Sequence, residues 1–106
     1  MMTEKDLTIA RDLKKRLAEE VMLISLRVYG SRARGNAAED SDMDVCVEVE
    51  ALDKGIKERI LDITWEIGFE NLTVISPLVF SREEMENSPL RSSPIVKTIR
   101  QEGYWI

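Results

Sequence analysis

VYGSRARGNAAEDSDMDVCVEV, residues 28–49, is the stretch around which the rest of the chain is read. It runs from an apolar strand end into Gly30-Ser31, across ten residues, to Asp42-Met43-Asp44 and a second apolar strand. Successive side chains of a strand point to opposite faces. Asp42 and Asp44 therefore share one face, with Cys46 and Glu48 following them. Met43, Val45, Val47 and Val49 share the other and can be buried against helices. The stretch predicts two strands joined by a turn and a polar loop, in which two like charges stand side by side.

Such a carboxylate pair is tolerable when a divalent cation lies between its members, and Mg²⁺ typically takes one or two carboxylates together with substrate phosphates. Gly30 supplies the complementary half. The alternation Leu26, Val28 ends there, and a residue without a side chain lets a phosphate approach the backbone. Ser31 offers a hydroxyl, and Arg32 and Arg34 offer two cations, to phosphate oxygens. If Ser31 opens a short helix, its first free N–H groups face the same anion. Phosphate donors and a metal-holding pair this close together point to a nucleoside triphosphate site.

Two other loops share parts of this spelling. Asp40, Asp42 and Asp44 alternate as in an EF-hand, but its sixth position, which needs Gly, is Val45, and its twelfth, which needs Glu, is Ala51. Gly30 and Gly35 have the spacing of a P-loop, yet Asn36-Ala37 stand where that loop requires Lys followed by Ser or Thr. Neither mechanism can operate here.

Gly30-Ser31, ten residues, then Asp42-x-Asp44 resembles the signature of the DNA polymerase β-type nucleotidyltransferase superfamily. The length and the Gly-Ser-Arg-Ala-Arg-Gly wording look most like its minimal nucleotidyltransferase (MNT) members, many of which act as antitoxins of HEPN-type toxin RNases. The resemblance implies a mixed sheet packed with helices, Mg²⁺ (two ions can be accommodated), and ATP as the donor of AMP to a hydroxyl of a partner protein. It assigns Asp42 and Asp44 to metal and catalysis, and Gly30, Ser31, Arg32 and Arg34 to the nucleotide. It also implies a third carboxylate on a neighbouring strand. Thr73-Val74-Ile75-Ser76 stand in that region, and Glu70 and Glu48 are the available stand-ins. The alternative reading is therefore a catalytically weak or inactive nucleotide-binding antitoxin that works by complex formation.

Composition narrows the classes. At 106 residues, 43% of them hydrophobic, the expectation is a single domain spanning 1–106. A net charge of −5 argues against direct nucleic-acid binding, which normally brings a basic face. No apolar run approaches the roughly 18 residues that span a bilayer, and Met1 to Glu20 is charged throughout, so no membrane segment or signal peptide is expected. The lone Cys46 suits a reducing cytoplasm. There is no His, which excludes imidazole catalysis and any reading of this chain as a histidine-dependent RNase. Homo-oligomerisation is left open.

The remaining chain reads as an α/β (α+β) order. Ala10, Leu13, Leu17 and Val21 predict a first helix from about Thr3 to Glu20, with Thr3 and Asp6 in a capping-box-like arrangement. Strands are expected at Met22 to Tyr29 and Met43 to Glu50, flanking one helical turn at Ser31 to Arg34. Ile56, Ile60, Ile63 and Ile67 predict a helix over Asp53 to Ile67, capped by Asp53 and ended by Gly68. Leu72 to Phe80 is a strand interrupted at Pro77, hence an edge or a bulge. Ser81 with Glu84 is a capping box for a short helix. Ser88-Pro89 and Ser93-Pro94 bracket a loop. Pro94 opens a last helix that ends at Gly103, and Tyr104-Trp105-Ile106 form a final short strand. Tyr29 and Cys46 are expected to pack, Trp65 and Trp105 to lie in core or interface, and Arg32 and Arg34, in their plainest reading, to sit on the surface or pair with Asp40 and Glu39.

Overall fold

The computed structural model describes residues 2–38, 40–87 and 89–106. Glu39 and Ser88 lie outside the described residues. The order is α1 (Glu4–Glu20), β1 (Leu23–Tyr29), α2 (Ser31–Arg34), β2 (Met43–Val49), α3 (Lys54–Glu70), β3 (Ile75–Ser81), α4 (Arg82–Glu86), a 3₁₀ turn (Pro89–Ser92), α5 (Pro94–Glu102) and β4 (Tyr104–Trp105). The strands form one mixed sheet in the order β3-β2-β1-β4. β1 is antiparallel to β2 and to β4, and β2 is parallel to β3 through the α3 crossover.

Local chemistry explains most boundaries. Thr3 caps α1 by accepting the Asp6 N–H, and Asp53 caps α3 by accepting the Ile56 N–H. Ser81 and Glu84 complete a reciprocal capping box on α4, and Ser93 with Pro94 begins α5. The apolar face of β2 meets α1 and α3 in one core built from Ile9, Leu13, Leu17, Leu26, Val28, Val45, Val47, Ile60 and Ile67. The opposite face packs Tyr29 and Cys46 against Met85, Val96 and Ile99. Among the described residues no helix is long and apolar enough to cross a membrane.

Four expectations need correcting. Gly68 does not end α3, which runs on to Glu70 and is closed by Asn71. A Cβ at Gly68 would lie 2.6 Å from the Thr73 carbonyl oxygen, so this glycine serves the close approach of the helix to the chain leading into β3. β3 begins at Ile75 rather than Leu72 and runs unbroken through Pro77, which is tolerated because β3 is an edge strand. The segment between Ser88-Pro89 and Ser93-Pro94 is a 3₁₀ turn over Pro89–Ser92. Of the core or interface setting expected for Trp65 and Trp105, the core is overturned: they are 69% and 62% exposed, Trp65 stacked on Phe69 and Trp105 over the Arg27 guanidinium at 3.9 Å.

Candidate active site

The turn between β1 and α2 places Gly30 directly against the second strand. Gly30 has φ 76°, in the left-handed region, and a Cβ there would sit 2.8 Å from Asp44 Oδ2. Two independent constraints thus require glycine: the backbone conformation and the nearness of the carboxylate. Tyr29, the preceding residue, is the register partner of Asp44. The Gly30-Ser31 turn and the Asp42-Asp44 pair, eleven positions apart in the chain, therefore form one site. Ser31 is the first residue of α2, and its N-cap, Gly30, has no side chain with which to accept the helix amides.

The two carboxylates differ in setting. Asp42 is exposed and accepts a hydrogen bond from Ser76 Oγ at 3.1 Å. Asp44 is half-buried, and its pKa is raised, first by burial and then by the charge of Asp42. Among the described residues no cation forms an ion pair with either one. A pair of hard oxygen donors left without a protein cation suits Mg²⁺, which binds through one or two carboxylates and completes its shell with phosphate and water. No group of three acidic, Cys or His side chains among the described residues can close a metal site alone.

The region expected to hold a third acid is occupied by Ser76, the register partner of Asp44 across the β2–β3 pair. Neither stand-in reaches the pair. Glu48 lies four residues along β2, roughly 13 Å from Asp44 at strand rise, and is buried against Arg27 at 3.6 Å. Glu70, the last residue of α3, is engaged by Arg16 at 2.8 Å.

The two arginines have separate fates. Arg32 is only 8% exposed, and its Nη1 meets Asp6 Oδ1 at 2.8 Å. Its Nε donates at 3.1 Å to the carbonyl of Ser41, the residue before Asp42. Arg32 thereby ties the Gly-Ser turn to α1 and to the chain entering the carboxylate pair. It is buried rather than on the surface and pairs with Asp6, while its expected partner Glu39 lies outside the described residues. That engagement of Asp6 explains why the expected capping box at α1 keeps only its Thr3 half. Arg34 is exposed and meets Glu102 Oε1 at 3.0 Å, and the same oxygen accepts the Gly30 N–H at 3.3 Å. Asp6 and Glu102 are the site residues that sequence reasoning missed. The partners lie 26 and 68 positions away, and nothing in local spacing signals them.

Tyr29 and Cys46 form the floor behind Asp44. Burial, helped by the charge of Asp44, pushes the Tyr29 phenol up to about 12, and burial pushes the Cys46 thiol up to about 11. Both groups stay protonated at neutral pH and act as packing, as expected.

A glycine held against a carboxylate pair on a mixed sheet is the arrangement of a nucleotidyltransferase fold. Residues 10–104 match the nucleotidyltransferase domain family (NTP_transf_2), and the chain belongs to it. The fold is the polymerase β-like nucleotidyltransferase fold. It is similar to a toxin–antitoxin crystal structure with AMP-PNP (17% identity, TM-score 0.58, covering 95% of this chain and 68% of that one). It is also similar to a mutant of the MntA–HpeT toxin–antitoxin (14% identity, TM-score 0.61, covering 91% and 70%). A third similar structure is a Sulfolobus solfataricus protein assigned as a nucleotidyltransferase (19% identity, TM-score 0.53, covering 93% and 77%). Among curated proteins no sequence matches this chain.

Proposed function

We propose that this chain is a minimal nucleotidyltransferase that, with Mg²⁺, transfers AMP from ATP to a hydroxyl of a partner protein, acting as the antitoxin of a HEPN-type toxin. The observation that carries the reading is the convergence of Gly30 with the uncompensated Asp42-Asp44 pair. Gly30 and Ser31 would receive the triphosphate, with Arg34 reachable once it parts from Glu102. Asp42 and Asp44 would hold the metal. Bound there, Mg²⁺ would neutralise the charge that develops on the departing pyrophosphate. Arg32 would keep the Asp42 loop in place through Ser41 and Asp6 rather than meet the phosphates. The toxin–antitoxin relative with AMP-PNP supports a nucleotide and a protein partner for this fold.

The second reading, a weak or inactive nucleotide-binding antitoxin, is favoured by Ser76, which contributes a hydroxyl where an acid would help deprotonate the acceptor. One experiment separates the two. ATP labelled at its α-phosphate is incubated with Mg²⁺, this chain and a purified HEPN-type RNase from the same genome. Label on the RNase with wild type, and none with Asp42→Asn plus Asp44→Asn, supports transfer. A stable, unlabelled complex that still inhibits the RNase supports the second reading. Neither label nor complex refutes both.

A further inference from the structure

Five exposed apolar side chains gather where the outer face of α3 meets the approach to β3. Leu61, Trp65 and Phe69 follow each other at four-residue spacing along the outer face of α3, opposite the buried Ile60-Ile63-Ile67 stripe. Trp65 and Phe69 stack with ring centroids 5.4 Å apart. Leu72, 92% exposed and held at φ 51°, and Val74 continue the surface into the approach to β3. Trp65, Phe69, Leu72 and Val74, with Gly68 and Ile75, line a groove of about 300 Å³. A contiguous apolar surface of this kind on a charged protein marks an interaction site.

The charge around it selects the occupant. Glu58, Asp62 and Glu66 run beside the apolar stripe at the same four-residue spacing, all exposed. The cations of α3 sit toward its start: Lys54 is paired with Glu58 and Arg59 with Glu20, and only Lys57 remains near Leu61. The last turn of α3 carries no basic residue of its own, and the Arg16 guanidinium that reaches it from α1 is taken up by Glu70 and Asp12. A nucleic acid would bring phosphates to an acidic rim. A second copy would lay one acidic stripe near another. A protein surface with an apolar anchor ringed by Lys and Arg satisfies both the groove and its rim.

We infer that the Trp65-Phe69-Leu72-Val74 groove is the docking face for a basic partner protein. The inference rests on the protein-partner reading above and adds where the partner sits. The groove also lies next to the site: the Val74 carbonyl accepts the Met43 N–H at 2.8 Å, and Ser76, two residues on, touches Asp42. A partner seated here would hold its own surface beside the carboxylate pair.

The test titrates a purified HEPN-type RNase from the same genome into this chain by calorimetry. Trp65→Glu with Phe69→Glu is expected to weaken binding on the order of a hundredfold, the loss typical of central aromatic anchors. Both side chains are exposed, so folding survives, and Mg²⁺-dependent ATP binding should be unchanged. Glu58→Lys, Asp62→Lys and Glu66→Lys together are expected to weaken binding about tenfold and reverse its salt dependence. RNase binding equal to wild type in the Trp65/Phe69 variant overturns the inference and leaves the partner reading intact. No binding by wild type overturns both. Sedimentation of the chain alone as a dimer that the same variant dissolves makes the occupant a second copy. Binding of a single-stranded RNA oligonucleotide lost in that variant makes it nucleic acid. Either result overturns the inference.

Discussion

Met43, Val45, Val47 and Val49 leave β2 on one side of the sheet and meet α1 and α3, while Asp44, Cys46 and Glu48 leave it on the other. The first side has no polar side chain from this strand and is fully buried. The second mixes a half-buried carboxylate, a buried thiol and a buried ion pair between Glu48 and Arg27. Period-two alternation lets one seven-residue strand do both jobs. The apolar face fixes the strand, and the fixed strand holds Asp44 against Gly30. The comparison teaches that the site's precision is borrowed from the core beneath it, so that damage to either side should be distinguishable by what it removes.

Three variants sharpen that distinction. Val47→Asp places an unpaired charge on the apolar face and is expected to cost on the order of 5 kcal/mol, leaving little folded chain by circular dichroism at 25 °C. Arg32→Ala leaves Asp6 buried without its cation and is expected to cost about 3 kcal/mol by urea denaturation. An apolar replacement of both partners, Asp6→Leu with Arg32→Met, should recover most of that loss. If the recovered variant binds ATP as wild type does, the nucleotide needs neither the Ser41 hydrogen bonds of Arg32 nor a phosphate contact from it; if it is stable but does not bind ATP, Arg32 serves the site as well as the fold.

The smallest effect belongs to Asp44. Its folded pKa is raised above the usual 3.8, so the ionised form is disfavoured by folding. Its contribution to stability is present below pH about 4 and is lost as pH rises through the raised value. Asp44→Asn removes the ionisation, so in the absence of Mg²⁺ it should raise the melting temperature slightly at pH 7 and leave it unchanged at pH 3. Thermal melts at the two pH values check this, and a lower melting temperature at pH 7 would contradict the burial and repulsion assigned to Asp44.

Local signals made much of this legible before the structure. The caps at Thr3, Asp53 and Ser81 depend on residues three positions away, the start of α5 on Pro94, and the isoleucine stripe of α3 on one helix. Those expectations agree with the observed elements to within a few residues. The spacing from Gly30 to Asp44 was legible for the same reason: a strand, a turn and a returning strand bring its ends together. What escaped was long-range. Gly68 looks like a terminator in sequence because its actual neighbour, the Thr73 carbonyl, matters only once the helix lies on the strand approach. Arg32 looks like a surface cation because Asp6 belongs to another element. Glu102 is invisible as a neighbour of Gly30 until α5 and β4 fold back beside β1. The exposure of Trp65 was available in principle, since it falls opposite the Ile60-Ile63-Ile67 stripe, but an aromatic residue on an amphipathic helix is ordinarily assigned to packing.

The central claim is that Gly30-Ser31 and Asp42-Asp44 act together as one metal-dependent nucleotide site. Calorimetric titration of ATP into the chain, with and without Mg²⁺, tests it most directly when wild type is compared with Asp42→Asn plus Asp44→Asn. The account predicts binding by wild type that requires Mg²⁺ and is lost in the double variant, while both proteins give the same folded circular dichroism spectrum. ATP binding that is equal in the two proteins, or indifferent to Mg²⁺, would contradict it.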